Sequence, residues 1–138
     1  MSKKKSILLV DDEGSVLLTL SMIFMGEGYS VTPAESGAEA LTILKEGGFD
    51  AVVTDLNMEK DDIGLEVAKA AVMKDPRPVV IVFTGYASVH NSKACLNIGV
   101  DYMAHKPVEL KELISALERL LRAREQRNSG RTTLDRTD

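Results

Sequence analysis

The sequence predicts an α/β fold in which a parallel sheet is covered by helices on both faces, an arrangement called doubly wound. Two observations predict it. Five short apolar runs are each followed by a segment with helical hydrophobic spacing. The runs are apolar almost throughout, which is typical of parallel strands that are buried on both faces. Right-handed crossovers then place the intervening helices on the two faces of the sheet.

The first half of the chain alternates strand and helix patterns. Its first apolar run stops at the acidic stretch Asp11-Asp12-Glu13, and its third ends on Asp55. Ser36 is followed three residues later by Glu39, which is the capping-box pattern of helix N-termini. The predicted elements are strand 6–10, helix 14–27, strand 29–33, helix 36–47 and strand 51–55.

The second half continues the alternation. The helix after the third strand ends at Asp75-Pro76, and Gly99 is the predicted C-cap of the fourth helix. The fourth helix has a thin apolar stripe that includes Val89 and Leu96, so we expect it to be the least firmly packed. The predicted elements are helix 65–74, strand 79–83, helix 88–98, strand 100–105 and an amphipathic helix from 108.

Length and composition favour one compact domain. The chain has 138 residues, of which 44% are hydrophobic, and this is enough for a full core. It contains no apolar stretch long enough to span a bilayer and no signal-peptide pattern, so we expect a cytoplasmic protein with no membrane partner. The single cysteine, Cys95, excludes an intramolecular disulfide and is predicted to be an ordinary packing residue of a helix.

Charge is distributed unevenly along the chain. The formal net charge is -4, but from Arg119 onward six arginines face three acidic residues, which leaves residues 1–118 at -7. An acidic body argues against direct nucleic-acid binding, because proteins that bind phosphate backbones usually have a basic face. We expect residues 5–122 to form the domain and residues 123–138 to be an Arg-rich C-terminal helix extension or linker.

Polar side chains stand where four of the predicted strands end. They are Asp11 and Asp12 after the first strand, Asp55 at the end of the third, Thr84 after the fourth and Lys106 after the fifth. Because the carboxyl ends of parallel strands meet at one edge, we expect these side chains to converge where α/β sheets bind ligands. No Gly-rich loop follows the first strand, which argues against dinucleotide binding.

Three carboxylates in one crevice need positive charge nearby. Each pair at a separation of about 4 Å repels by roughly 4 kcal/mol at an effective dielectric constant of about 20. Lys106 offsets one charge, and a hard cation such as Mg²⁺ suits the remaining carboxylates. A metal, a hydroxyl and an ammonium together also suit a transferring phosphoryl group. The residues therefore favour phosphoryl chemistry on a carboxylate.

Four motifs, in this order, resemble those of the receiver domain of two-component response regulators. They are Leu9-Val10-Asp11-Asp12, Thr54-Asp55-Leu56-Asn57-Met58, Phe83-Thr84-Gly85 and Lys106-Pro107. Alone, each is a common turn, cap or surface residue pattern, whereas the four at these spacings are specific. The resemblance covers residues 5–122. It implies a flavodoxin-like sheet of five strands in the order 2-1-3-4-5 with five helices.

The resemblance also implies a phosphoacceptor domain of a phosphorelay. Asp55 would take a phosphoryl group from a sensor histidine kinase or a phosphotransfer protein, and the domain would signal by conformational change. It would be no enzyme beyond promoting its own phosphorylation and dephosphorylation. Asp12 and Asp55 would ligate Mg²⁺ together with the backbone carbonyl of Asn57, and Asp11 would act through a coordinated water.

The same resemblance assigns the residues that respond to phosphorylation. Thr84 would bond the phosphate and shift inward, and Lys106 would pair with the phosphate, aided by a cis peptide bond before Pro107. Asn57 and Tyr86 occupy positions that in this family influence the lifetime of the phosphoryl group. A homodimer would form through the face of the fourth helix, the fifth strand and the fifth helix.

Two features depart from the family pattern. The loop at 57–64 has no proline after Met58 and carries one extra residue, with added acidic side chains. Met103 stands three residues before the lysine, where the family often has Tyr or Phe. Tyr102, one position earlier, faces the opposite side of the strand. We therefore expect the signal to pass through backbone shifts in the thinly packed fourth helix.

Two other functions stay open. A receiver-fold interaction module that acts independently of phosphorylation is the alternative, and the altered loop gives it some weight. A haloacid-dehalogenase-type phosphatase assembles a similar site, but its nucleophile belongs to an Asp-x-Asp motif that Asp11-Asp12-Glu13 does not supply. Glu13 is predicted to support the acidic pair, and His90 and His105 are predicted to be structural or surface residues.

Overall fold

The computed structural model describes residues 4–58, 63–85 and 89–137, without the side chains of 89–90 and 128–137. The strands in these ranges are β1 (Ser6–Val10), β2 (Ser30–Ala34), β3 (Ala51–Asp55), β4 (Val79–Thr84) and β5 (Tyr102–His105). The helices are α1 (Gly14–Gly26), α2 (Gly37–Glu46), α3 (Ile63–Val72), α4 (Val89–Ile98) and α5 (Leu110–Thr137). The strands form one parallel sheet in the order β2-β1-β3-β4-β5. The predicted doubly wound class and strand order are confirmed.

The sheet separates two apolar layers. Neighbouring residues of β3 point to opposite faces, so Val53 contacts one layer and Val52 the other. The first layer packs against α1 and α5 and is called the α1/α5 face here. The second packs against α2, α3 and α4 and is called the α2–α4 face. β3 and β4 are buried along their whole length, as expected for central parallel strands.

Two predicted helix ends are confirmed by their hydrogen bonds. The Ser36 hydroxyl oxygen accepts a bond from the Glu39 backbone N–H at 3.1 Å, which caps the start of α2. Gly99 ends α4 with a φ angle of 90°, a conformation that side chains disfavour. The backbone N–H groups of Gly99 and Val100 both donate to the Cys95 carbonyl, at 3.0 and 3.2 Å.

The fifth strand starts later than the sequence predicts. β5 begins at Tyr102, whereas the apolar pattern begins at Val100. The carboxylate of Asp101 explains the difference, because its Oδ2 accepts a hydrogen bond from the Val80 backbone N–H at 2.8 Å. The same oxygen lies 3.2 Å from the Arg77 guanidinium. A side chain therefore replaces the backbone as the acceptor at this point, and the regular ladder begins one residue later.

The apolar stripe predicted for the fourth helix is wrong at Leu96, whose side chain is 80% exposed. Its neighbour Cys95 is 2% exposed and packs in the α2–α4 face, as predicted for an ordinary packing residue. Successive helix residues are rotated by about 100°, so only one of these two can face the sheet. Burial raises the pKa of the Cys95 thiol.

The last helix is longer than the part that packs on the sheet. α5 begins at Leu110 and continues as a single helix to Thr137. Leu113, Leu117 and Leu121 pack in the α1/α5 face, so the first half of α5 is the anchored half. Among the described residues, no helix combines the length and the apolar character needed to cross a membrane.

β2 is an edge strand, and its hydrogen bonds show which way it faces. Ser30 N–H donates to the Lys5 carbonyl at 2.9 Å, and Asp11 N–H donates to the Ala34 carbonyl at 3.2 Å. The even-numbered residues of β2 therefore bond towards β1, and the nitrogen of Pro33 faces the free edge. Proline has no N–H to offer there, so it interrupts an edge that could otherwise pair with another strand.

Candidate functional site

The strand ends bring the predicted polar side chains together at one edge of the sheet. Asp11 follows β1, Asp55 ends β3, Thr84 ends β4 and Lys106 follows β5. The sheet register pairs Asp55 with Phe83 and so places the ends of β3 and β4 at the same level. Asp11, Asp55 and Thr84 are at most 1% exposed. The apolar strands thus deliver two buried carboxylates and a buried hydroxyl to one place.

Asp11, Asp12 and Asp55 form an acidic cluster. One oxygen from each carboxylate lies within 4.8 Å of the others, and Asp12 is the exposed member. Burial raises the pKa of Asp11 to about 6; the Asp55 charge adds to this, while a hydrogen bond from the Glu13 backbone opposes it. Asp11 Oδ2 is buried and accepts no hydrogen bond from the described residues. Anionic oxygens held this close, one of them without a donor, fit a hard divalent cation.

Lys106 is the cation that contacts this cluster. Its Nζ lies 2.9 Å from Asp55 Oδ2, 3.5 Å from Asp11 Oδ2 and 3.7 Å from Glu13 Oε1. Burial lowers the pKa of Lys106, but the hydrogen bond to Asp55 and the nearby carboxylate charges outweigh it and raise the pKa overall. The peptide bond from Lys106 to Pro107 is cis, as the family resemblance implies. Lys106 is therefore held as an ammonium against Asp55.

Backbone N–H groups fix the two buried carboxylates. Asp55 Oδ1 accepts a hydrogen bond from the Asn57 N–H at 2.9 Å, and Asp11 Oδ1 accepts one from the Glu13 N–H at 2.9 Å. Each bond joins an aspartate to the residue two positions later, the usual geometry of an aspartate turn. One oxygen of each carboxylate is thus held by the backbone, and the other points towards Lys106.

The Asn57 side chain makes contacts that the sequence analysis missed. Its Oδ1 accepts hydrogen bonds from the Thr84 hydroxyl and, at 3.1 Å, from the Gly85 backbone N–H. The family resemblance implies that Asn57 offers its backbone carbonyl to the metal and influences the lifetime of the phosphoryl group, but it implies no bond to Thr84. The signal available in the sequence was that Asn57 follows β3 and Thr84 ends β4, the neighbouring strand. In this structure the Thr84 hydroxyl is therefore bonded to Asn57.

Gly64 ties α3 to the strand that carries Asp55. A Cβ atom at Gly64 would lie 2.5 Å from the Asp55 carbonyl oxygen and 2.6 Å from the Leu56 Cα, both backbone atoms. Only glycine permits this approach. The added acidic residues of the 57–64 loop fall at 59–62, which lie outside the described residues, but the loop ends at this close contact.

Tyr102 and Met103 face opposite sides of the sheet. Tyr102 packs in the α1/α5 face, and Met103 packs in the α2–α4 face that also contains Cys95. This confirms the expectation that Tyr102 points away from the position that Met103 occupies.

His105 is exposed at the end of β5. Tyr86 and the side chain of His90 lie outside the described residues.

Comparison with known families gives a match to the model of the response regulator receiver domain over residues 7–118. Among curated proteins, the chain is 35% identical over 116 residues to the transcriptional regulatory protein GlrR of Escherichia coli strain K12, covering 84% of this chain and 26% of that protein. It is 37% identical over 118 residues to the transcriptional regulatory protein PrrA of Mycobacterium tuberculosis, covering 86% of this chain and 50% of that one. The chain thus spans a quarter to a half of the length of these relatives.

Solved structures with the same fold include two receiver proteins. A CheY-like receiver domain protein from Methanospirillum hungatei JF-1 has a TM-score of 0.85 and 32% identity, covering 91% of this chain and 99% of that chain. A receiver protein from Sinorhizobium medicae WSM419 has a TM-score of 0.78 and 34% identity, covering 88% of this chain and 98% of that chain.

Proposed function

The chain belongs to the response regulator receiver domain family, and from that premise we propose that Asp55 is the phosphoacceptor of a two-component phosphorelay. Receiver domains of response regulators are generally not catalytic enzymes, so the proposed output is a conformational change. The observation that carries the proposal is the environment of Asp55. Its carboxylate is buried, has one oxygen bonded to the Asn57 N–H, and has the other 2.9 Å from Lys106.

The proposed reaction is the transfer of a phosphoryl group from a phosphohistidine. A carboxylate oxygen of Asp55 attacks phosphorus, the P–N bond breaks, and the imidazole keeps the electron pair and takes up a proton. Lys106 Nζ, 2.9 Å from Asp55 Oδ2, is positioned to pair with the oxygens of the incoming group. The donor is a sensor histidine kinase or a phosphotransfer protein.

Mg²⁺ is the cofactor that the acidic cluster fits. Asp12 and Asp55 would ligate it together with the backbone carbonyl of Asn57, and Asp11 would act through a coordinated water. The metal, when bound, supplies positive charge that offsets the charge on the phosphoryl group. The donor set supports this assignment, because it consists of carboxylate and carbonyl oxygens, and Asp11 Oδ2 accepts no hydrogen bond from the described residues.

Thr84 is the proposed sensor of phosphorylation. Its hydroxyl, bonded to Asn57 before phosphorylation, would turn to the phosphoryl oxygens on Asp55. The new group adds a charge of about -1.5 to -2 beside Lys106. The Gly85 N–H donates to the same Asn57 oxygen, so a turn of Thr84 would leave that oxygen with the Gly85 backbone as its donor. The shift would then continue into the segment between β4 and α4.

The test is the intact mass after incubation with acetyl phosphate and Mg²⁺. The unmodified chain should gain one phosphoryl group, and the gain should disappear with Asp55→Asn or when Mg²⁺ is chelated. Asp75→Asn is the matched control, because Asp75 is exposed, and it should phosphorylate normally. A folded protein that gains no phosphoryl group would instead favour an interaction module that acts independently of phosphorylation.

Other sequence predictions stay predictions. They are the domain at 5–122 with an Arg-rich extension at 123–138, the cytoplasmic location, the absence of direct nucleic-acid binding and the homodimer through α4, β5 and α5. α5 continues as one helix beyond residue 122, which supports a helix extension at 123–138 over a linker. Sedimentation of the phosphorylated and unphosphorylated chain would test the dimer.

A further inference from the structure

A cavity of about 150 Å³ lies at the end of the sheet opposite the acidic cluster. Its walls come from the segments that precede β1, β3 and β4, and from α5. We call it the amino-end cavity, because the strands begin there. A strand of five residues, such as β3, spans roughly 17 Å, so the proposed phosphoryl transfer does not use this cavity. Its charged lining residues are Lys5, Asp50, Arg77, Arg124 and Glu125.

Arg124 is the charged lining residue that has no partner. Its guanidinium Nη1 is buried and makes no hydrogen bond to the described residues, and Arg124 forms no salt bridge with them. Burial lowers the pKa of the Arg124 guanidinium; the charge of Asp101 opposes this, and the charge of Arg77 adds to it. A cation taken out of water without an opposite charge costs free energy. Arg124 is therefore a cation that an anion in the cavity would stabilise.

Arg77 brings a second unpaired donor to the same cavity. Its Nη2 donates to the Gly99 carbonyl at 2.6 Å and lies 3.2 Å from Asp101 Oδ2. Its Nε is buried and donates to none of the described residues. Arg77 belongs to the segment before β4, whereas Arg124 belongs to α5. Two guanidinium groups from different elements thus each keep an N–H without an acceptor.

The acidic residues that line the cavity are already paired. Asp50 Oδ2 accepts hydrogen bonds from the Ser6 backbone N–H at 2.8 Å and from the Ser6 hydroxyl at 3.3 Å. Glu125 Oε1 forms a salt bridge with Lys5. Neither carboxylate forms a salt bridge with Arg124, although the Asp50 charge lies close enough to favour the charged form of that guanidinium. The anion that Arg124 lacks has to come from outside the described residues.

The donors and the size of the cavity indicate which anion fits. Guanidinium groups bind phosphate and carboxylate oxygens with paired N–H donors. Donors on two different walls favour a tetrahedral phosphate, because its oxygens accept from several directions, whereas a carboxylate accepts mainly in one plane. Pockets for drug-sized ligands measure about 300 Å³ or more, so a cavity of about 150 Å³ suits a phosphate group and excludes a whole nucleotide.

We propose that the amino-end cavity binds a phosphate group, either as inorganic phosphate or as the phosphate of a small ester. Arg124 Nη1 and Arg77 Nε donate to its oxygens. The bound anion bridges α5 and the segment before β4, and it therefore holds α5 against the end of the sheet that lies farthest from Asp55.

Titration with inorganic phosphate tests the proposal. Amide chemical shifts are followed without Mg²⁺ and with a chelator, so that no metal binds at the acidic cluster. Arg124→Met should weaken binding at least about tenfold, because a charge-assisted hydrogen bond is lost. Arg124→Lys, which keeps the charge but loses the paired donors, should fall between the two. Arg119→Met is the matched control, because Arg119 is an exposed arginine of the same helix outside the cavity, and it should bind normally.

Thermal unfolding gives an independent measurement. A ligand that binds only the folded chain raises the melting temperature. Phosphate also stabilises proteins generally by exclusion from their surface, so the variants are compared at one phosphate concentration. The unmodified chain and Arg119→Met should gain more from phosphate than Arg124→Met does. An equal gain in all three would overturn the proposal.

The position of the shift changes decides where phosphate binds. Saturable changes at 49–50, 76–77 and 121–125 that persist in Asp55→Asn support the proposal. Changes centred on Asp55 and Thr84 overturn it, as does the absence of saturable changes, which would leave only water in the cavity. Acetate that binds as tightly as phosphate also overturns it. Glycerol 3-phosphate separates the two sources, because tighter binding than inorganic phosphate supports an ester and weaker binding supports the free ion.

Discussion

α3 and α4 pack on the same face of the sheet but are held to it very differently. α3 buries four of its ten residues, Gly64, Val67, Ala68 and Ala71. Among the described side chains of α4, only Cys95 is buried, and the neighbouring Leu96 is 80% exposed. α3 is fixed to the strand that carries Asp55, the proposed phosphoacceptor, whereas α4 has little side-chain packing of its own.

This difference in packing suggests that α3 and α4 have different roles on the α2–α4 face. α3 meets the backbone of Asp55 and Leu56 through Gly64, so movement of α3 would disturb the acidic cluster itself. α4 lies beyond Thr84 in the chain and shares its apolar layer with Met103 of β5. Regions with few buried contacts open at lower free energy than the rest of a fold. We therefore expect α4 to be the helix that responds when Thr84 shifts.

Gly64→Ala, at the start of α3, should have the largest effect on stability. The added Cβ would meet backbone atoms of Asp55 and Leu56 at 2.5 and 2.6 Å, and neither can move without moving β3. We expect a loss of about 3 kcal/mol in the free energy of unfolding, measured in urea. Gly26→Ala, whose Cβ would meet nothing within 4 Å, should change it by less than about 0.5 kcal/mol. Equal effects would show that α3 is not anchored at Gly64.

Side-chain truncation compares the two helices directly. Val67→Ala in α3 removes methyl groups from a fully buried site and should cost about 2 kcal/mol. Leu96→Ala in α4 removes a larger side chain from solvent and should cost less than about 0.5 kcal/mol. Urea unfolding of both variants measures the difference. A larger cost at Leu96 would contradict the looser packing of α4.

Thiol labelling compares how often the helices open. Cys95 in α4 is buried, and burial raises the pKa of its thiol. A thiol reagent therefore reaches the sulfur, and the sulfur ionises to the reactive thiolate, only when α4 opens. A matched thiol in α3 is obtained by Ala68→Cys combined with Cys95→Ala. We expect Cys95 to label at least about tenfold faster below the urea transition. Similar rates, after correction for global stability, would mean that both helices open together.

Binding of beryllofluoride, a phosphate mimic, should produce the smallest of the predicted differences between α3 and α4. Amide chemical shifts in α4 and β5 should change more than those in α3, because we expect the signal to pass through α4 and not through Tyr102. Met103→Ala should leave this pattern in place. If the shifts of α4 and β5 stay fixed when the mimic binds, the proposed route of the signal is wrong.

Much of the fold could be predicted from the sequence because the buried strands are distinctive. The run at 79–83 is apolar throughout, and the structure confirms it as the fully buried strand β4. Asp55 could be placed at a strand end because the apolar run before it stops there. The Ser36 cap was predictable as well, because both partners of the hydrogen bond lie within three residues.

Features that depend on contacts between distant segments were not predictable. β5 starts late because the Asp101 side chain bonds to Val80 of another strand. The bond between Thr84 and Asn57 joins residues 27 positions apart, and neither residue type demands it. Leu96 looked like part of an apolar stripe, but the rotation of α4 that exposes it is set by packing on the sheet. Periodicity gives the pattern of a helix without giving its rotation.

The close approach of Gly64 to Asp55 also limits how the chain can diverge in evolution. The glycine anchors the start of α3 directly on the strand, so residues inserted between Asn57 and Gly64 need not displace either element. The extra residue and added acids at 57–64 are a change of this kind. If Asp55 is the phosphoacceptor, as proposed, duplicated genes could vary this loop while inheriting the same acceptor, provided that the glycine is retained.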